Sequence, residues 1–231
     1  MHNGHTAPDV SYELIAEETS FQPGVSVPWR FEVVGPHGRP SSYRIQHERE
    51  LHLIVVREDL TTFSHLHPER NDDGSWSVDL ELPLPGRYVA FADVAPEDDP
   101  ATTLRLPLVA EGEWSPSGPG EVSKETAVGS YRVELDGEVA GGAGSEIGFH
   151  ISKEGLGVVP DPYLGAAGHL VAIRSGDLQY LHVHPLEEDS SGAIRFMVHA
   201  PGPGIYRLFL QFLHEHGVRT ADFTVEVQEP T

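Results

Sequence analysis

The chain has 231 residues, with 15 Lys and Arg against 36 Asp and Glu; the formal net charge of −21 repels nucleic-acid phosphates and anionic lipid and attracts cations. It has no cysteine, which excludes disulfides, thiolate metal sites and cysteine nucleophiles, and its two methionines, Met1 and Met197, are too few for a thioether-rich Cu(I) site. No apolar run is long enough for a membrane-spanning helix and the opening MHNGH lacks the apolar core of a secretory signal, which leaves a trimmed exported protein or a cytosolic one as the alternatives.

Helical periodicity is scarce. Short Val, Ile, Leu, Phe and Tyr runs separated by Gly, Pro, Asp and Asn recur every ~8–12 residues, the spacing of an all-β sandwich or barrel. In the first half this predicts strands over 10–16, 25–34, 50–57, 62–67, 75–82, 86–94 and 103–109. The stretch EGEWSPSGPGEVSK, residues 111–124, has the Pro, Gly and Ser content of a linker, with a boundary near Gly120. Strands are predicted again over 130–136, 145–152, 168–174, 179–184, 193–200, 204–213 and 218–228. Seven strands per half suggest two tandem immunoglobulin-like β-sandwich domains, residues 1–118 and 121–231, although other small Greek-key sandwiches read the same way.

The halves are copies of one another. His52, His65 and His67 lie thirteen and then two residues apart, and so do His169, His182 and His184, with Pro68 and Pro185 following the last histidine of each set. The frame around them repeats too: LHLIVV and FSHLHP against GHLVAI and YLHVHP, then a Pro-x-Pro-Gly-x-Tyr run ending at Tyr88 and at Tyr206. The offset of 117 to 118 residues marks an internal duplication.

A hairpin turning at Asp59-Leu60 puts positions summing to 119 opposite one another, so His52 faces His67; turning at Gly176-Asp177 puts His169 opposite His184. Side chains alternate across a strand, so both histidines of each His-x-His share a face. Opposed residues have Cβ atoms ~4.5–5.5 Å apart, close enough for imidazoles to grip one ion through bonds of about 2.0–2.1 Å. Imidazole nitrogens suit Zn(II), Cu(II) and Ni(II), and Cu(II) binds tightest of these at a nitrogen site. The competing reading is structural. Leu51, Leu53, Val55 and Leu66 line one side of this hairpin and Ile54, Val56 and Phe63 stand beside the histidines, so the imidazoles could be hydrogen-bonded core groups.

Other residues carry weaker signals. Asp93, aligned with Gln211, is expected to be a strand-end turn residue, with a carboxylate acceptor for one histidine as the alternative. His214-Glu215-His216 reads as a polar hairpin tip, His47 as part of the loop approaching His52, His199 as a solvent-facing strand residue, and His37 as part of a turn. His2 and His5 could bind metal through a flexible terminus. There is no G-x-S-x-G elbow, Walker loop, H-E-x-x-H or Rossmann fingerprint.

The segments HERELHLIVVREDLTTFSHLHPERNDDGSWSVDLELPLPGRYVAFADVAP and PYLGAAGHLVAIRSGDLQYLHVHPLEEDSSGAIRFMVHAPGPGIYRLFLQF resemble the actinobacterial two-repeat, histidine-containing secreted proteins related to the YtkA-like family. The resemblance runs from about Tyr12 to Val227. It implies small immunoglobulin-like sandwiches of the cell envelope linked with heavy-metal, especially copper, handling. It places the motif on His52, His65 and His67 and on His169, His182 and His184.

These readings converge on a non-enzymatic metal-binding protein, secreted or in the cell envelope, that takes Cu(II), with Zn(II) second, for storage, buffering or delivery, with an envelope protein as partner. An adhesive or scaffolding sandwich with structural histidines is the alternative. A mononuclear metalloenzyme is a third, since three histidines leave an open coordination position, but no acid, base or cleft is legible beside them.

Overall fold

The computed structural model describes residues 11–142, 144–181, 183–186 and 192–229, the side chain of His184 excepted. Two compact units emerge, Met1–Arg57 with Thr62–Ser115, and Pro116–Thr231 with Glu58–Thr61. Among the described residues no helix is long and apolar enough to cross a membrane.

The first unit is built from β1 (Glu13–Ile15), β2 (Ser20–Phe21), β3 (Val27–Val34), β4 (Leu51–Arg57), β5 (Phe63–Leu66), β6 (Glu69–Arg70), β7 (Trp76–Leu80), β8 (Gly86–Val94) and β9 (Thr102–Ala110). They form two sheets, ordered β1-β3-β7-β6 and β2-β9-β8-β4-β5. That is the two-sheet arrangement of an immunoglobulin-like sandwich, with the first strand split between the sheets. The predicted strands all appear. β2 and β6, two residues each, fall below the length at which alternation is legible.

The second unit repeats the plan. It comprises β10 (Glu125–Val128), β11 (Tyr131–Gly137), β12 (Gly144–Lys153), β13 (Leu156–Gly157), β14 (His169–Arg174), β15 (Tyr180–Leu181), β16 (His184–Pro185), β17 (Ile194–His199), β18 (Gly204–His214) and β19 (Gly217–Val227). One sheet runs β10-β11-β12-β17-β16 with β13 on β12, and the other β15-β14-β18-β19.

Alternation explains which face of each sheet is inside. In β3 the buried residues Trp29, Phe31 and Val33 pack with Leu51, Leu53 and Val55 of β4, Trp76 of β7 and Tyr88, Ala90 and Ala92 of β8. In the second unit Phe149, Phe196, Tyr206, Leu208 and Phe223 play the same parts. Each fully buried Leu, Val or Phe contributes about 1.5–3 kcal/mol.

The Pro-x-Pro-Gly-x-Tyr run is a tyrosine corner in both copies. Tyr88 donates its hydroxyl to the Leu84 carbonyl at 2.8 Å and accepts the Leu84 N–H at 3.2 Å, while Tyr206 donates to the Gly202 carbonyl at 2.8 Å. The intervening glycines, Gly86 and Gly204, have φ of 140° and 138°, which side chains resist. At Gly86 a Cβ would also stand 3.0 Å from the Trp114 ring and 3.1 Å from Arg57 Cδ.

Candidate metal centre

The ladder between β4 and β5 pairs Leu53 with Leu66, Ile54 with His65 and Val56 with Phe63, which is the register expected from the sequence. Continued by one step, it sets His67 beside His52. Leu51, Leu53 and Val55 then point into the core, while His52, Ile54 and Val56 occupy the opposite face. His67 comes just past β5, where Pro68 has no N–H to extend the ladder and the chain leaves for β6 in the other sheet. The His-x-His-Pro motif is therefore a strand end at which the chain changes sheets.

The three rings gather on that face. Their centroids are 5.2 Å (His52 to His65), 5.1 Å (His52 to His67) and 4.7 Å (His65 to His67) apart. One nitrogen from each can be chosen so that all lie within 4.8 Å of one another, with His52 buried and the other two half-buried. Three nitrogens bound to a single ion at about 2.0–2.1 Å stand about 3–4 Å apart, so small rotamer shifts would bring these onto one ion.

His52 is held in one tautomer. Its Nε2 lies 2.9 Å from the Gln46 carbonyl, which can only accept, so Nε2 carries the proton and Nδ1 offers its lone pair. Nδ1 faces His65 Nε2 at 2.9 Å, so in the metal-free protein His65 donates to His52. Metal-binding histidines commonly anchor their second nitrogen to a carbonyl in this way. Burial pushes the His52 imidazole below its ordinary range, only partly offset by the Gln46 carbonyl and the Asp93 carboxylate, and this favours the neutral, ligating form.

A strained turn supplies the carbonyl. Gln46 and Arg49 exchange backbone bonds of 2.8 and 3.0 Å around His47 (φ 46°) and Glu48 (φ 63°), a two-residue turn with both centres left-handed. For non-glycine residues such conformations cost about 1–3 kcal/mol each. The second unit has the same device. Tyr163 and Ala166 exchange bonds of 2.8 and 3.2 Å around Leu164 (φ 50°) and Gly165 (φ 76°), and His169 Nε2 meets the Tyr163 carbonyl at 2.9 Å. Sequence reasoning missed Gln46 and Tyr163, since each acts through its backbone and leaves no side-chain signal.

Asp93 is not the strand-end turn residue that was expected. It lies within β8, buried, opposite both His52 on β4 and Thr103 on β9, and its Oδ1 accepts the Thr103 hydroxyl at 3.3 Å. A valine follows it in the strand, so pairing continues past the carboxylate. In the second unit Gln211 stands opposite His169 and Thr220 and donates Nε2 to the Thr220 hydroxyl at 3.2 Å.

The remaining candidates fall as follows. His169 opens β14, half-buried. The β14–β15 ladder pairs Ala172 with Leu181 and Ile173 with Tyr180, again the expected register. His182 lies outside the described residues, as do His2 and His5; His184 is described in its backbone alone, opposite Met197. His214-Glu215-His216 is the tip of the β18–β19 hairpin, where His214 Nδ1 meets the Tyr131 hydroxyl at 2.8 Å and Glu215 pairs with Lys153 at 2.5 Å. His37 is exposed in its turn and His199 is exposed on β17.

Fold and site define a tandem immunoglobulin-like protein with a three-histidine cluster that could hold a metal ion. The chain belongs to the family described as "Domain of unknown function (DUF8832)", whose pattern matches residues 6–109 and again 125–229. No curated protein matches it. Similar solved structures include the Escherichia coli adhesin FdeC (15% identity, TM-score 0.31, covering 94% of this chain and 65% of that one). Invasin, a bacterial integrin-binding protein, matches at 10% identity with TM-score 0.29, covering 96% of this chain and 39% of that one. Domains 5–6 of the S-layer protein SbsC match at 10% identity and TM-score 0.29, covering 96% of this chain and all of the other. The chain thus spans less than two thirds of the length of FdeC and of invasin in those structures.

Proposed function

We propose that the protein binds divalent transition-metal ions without catalysing a reaction, with Cu(II) the preferred ion and Zn(II) second. It serves storage, buffering or delivery in the cell envelope, alongside an envelope partner that supplies or receives the ion. The observation that carries this is the His52, His65 and His67 cluster with His52 Nδ1 turned toward its neighbours by the Gln46 carbonyl. His169, His182 and His184 form the second site, and the repeats 1–118 and 121–231 act as separate binding domains. An all-imidazole donor set favours Cu(II) over Zn(II), and the charge of −21 gathers cations. The resemblance to secreted histidine-containing proteins supports the envelope setting.

Titration with Cu(II), followed by visible absorption and electron paramagnetic resonance, tests this. Saturable binding with nitrogen hyperfine structure is expected in the wild type, and its loss in a His67→Ala, His184→Ala double variant. Bound ion should also stabilise the fold, by about 2.7 kcal/mol at a free concentration 100 times Kd. Equal saturation in the double variant would discard these ligands.

A second reading has its own support. The 2.9 Å approach of His52 to His65 is a normal hydrogen bond, so the imidazoles could serve only to satisfy one another within a scaffolding sandwich. That reading expects no metal in protein purified without a histidine tag, and a melting temperature unmoved by Cu(II) or Zn(II).

A further inference from the structure

We propose that His47 is the exchange ligand of the first-repeat site, taking the cation from solvent and passing it to His52, His65 and His67. The inference rests on the metal-binding reading above. His52 is only 7% exposed while His65 and His67 are half-buried, so an ion sheds its water on the exposed side of the cluster before it meets His52. His47 stands at that rim, exposed, its ring centroid 6.1 Å from that of His52 and nearly perpendicular to it. Two imidazoles gripping one ion through bonds of 2.0–2.1 Å have centroids up to about 6.4 Å apart, so the 6.1 Å spacing is within the span of a shared ion, which His52 would take through Nδ1, its Nε2 being bound to the Gln46 carbonyl.

The turn gives an independent reason. A two-residue turn with both centres left-handed is best served by Asn-Gly, and the second repeat places Gly165 at its second centre. The first repeat keeps two strained non-glycine residues there, His47 and Glu48, and both side chains are exposed. An imidazole and a carboxylate at the mouth of a cation-binding site would capture the ion. At the position of His47 the second repeat has Leu164, which is buried and cannot ligate. At this turn the first repeat thus carries an exposed imidazole and carboxylate, and the second carries neither.

The test is stopped-flow transfer of Cu(II) from a weak glycine chelate into the full-length protein, and out of it to EDTA, in a His169→Ala background that silences the second repeat. His47→Asn and His47→Gly both tolerate the left-handed turn, so the fold and the Gln46 carbonyl stay in place. His37→Ala, an exposed turn histidine elsewhere, is the control. Uptake and release should both slow by about tenfold or more in the His47 variants while the equilibrium affinity stays within about threefold. Rates equal to those of the control would overturn the inference, as would an affinity loss with unchanged uptake. Absence of Cu(II) uptake by the His169→Ala parent, with His47 intact, would instead overturn the metal reading of the first repeat itself.

Discussion

The two repeats share a scaffold and differ in what they hang on it. Both have the tyrosine corner, both present a strained turn whose carbonyl meets the first histidine, and both hold that histidine opposite a polar residue on the neighbouring strand. At the equivalent sites, however, Asp93 becomes Gln211, His47 becomes Leu164, and buried His52 becomes half-buried His169. Backbone devices have been kept and charged side chains have not. The duplication therefore preserved the means of aiming an imidazole while the electrostatics around it diverged.

The scaffold half of that comparison can be broken at the tyrosine corners, where the largest stability effect is expected. Tyr88→Phe removes two hydrogen bonds to Leu84, and Tyr206→Phe removes one to Gly202. The first should cost about 1–3 kcal/mol and the second about 0.5–1.5 kcal/mol. The repeats can be followed separately, because Trp29, Trp76 and Trp114 all belong to the first. Urea unfolding by tryptophan fluorescence should register Tyr88→Phe alone, with circular dichroism registering both. A Tyr206→Phe change that moved the tryptophan transition equally would show the repeats unfolding as one.

The electrostatic half is sharpened by exchanging the residues opposite the first histidines. Asp93→Asn removes a buried negative charge beside His52 and should weaken Cu(II) binding at the first site by about tenfold. Gln211→Glu places a carboxylate opposite His169, where the Thr220 hydroxyl can turn to donate to it, and should tighten the second site by a similar factor. Competition against a chelator of known affinity, with the other repeat silenced, measures each. If neither substitution moves the affinity, Asp93 and Gln211 serve only the ladder and the repeats are electrically equivalent.

Much of this was legible because the relevant signals are periodic. The turn at Asp59-Leu60 set the register of the first hairpin and alternation set the face, and the prediction that His52 meets His67 follows from the two together. The two-residue strands β2, β6 and β13 were not legible, since two residues carry no period. Asp93 was misread because Asp is usually a turn former, and the sequence does not show that His52 stands opposite. The Gln46 and Tyr163 carbonyls were invisible for a different reason: any residue carries one, and only the turn geometry singles these out.

The smallest effect expected concerns acid, and it bears on the burial of His52. Its imidazole is held below the ordinary range, chiefly by burial, so the sign of the linkage follows. Above about pH 6.5 His52 is neutral in both the folded and the unfolded chain and carries no penalty. As pH falls through the ordinary imidazole range, the unfolded chain takes up a proton that the folded chain refuses, and stability drops by at most about 1.4 kcal/mol per pH unit. The loss ends once the pH reaches the depressed folded value. In metal-free protein the urea midpoint reported by tryptophan fluorescence should therefore fall between pH 7.5 and 5 more steeply in the wild type than in His52→Gln, which can still donate toward the Gln46 carbonyl. Parallel slopes would mean that the buried ring accepts its proton as readily as an exposed one. The contrast in burial between His52 and His169 would then have no electrostatic consequence.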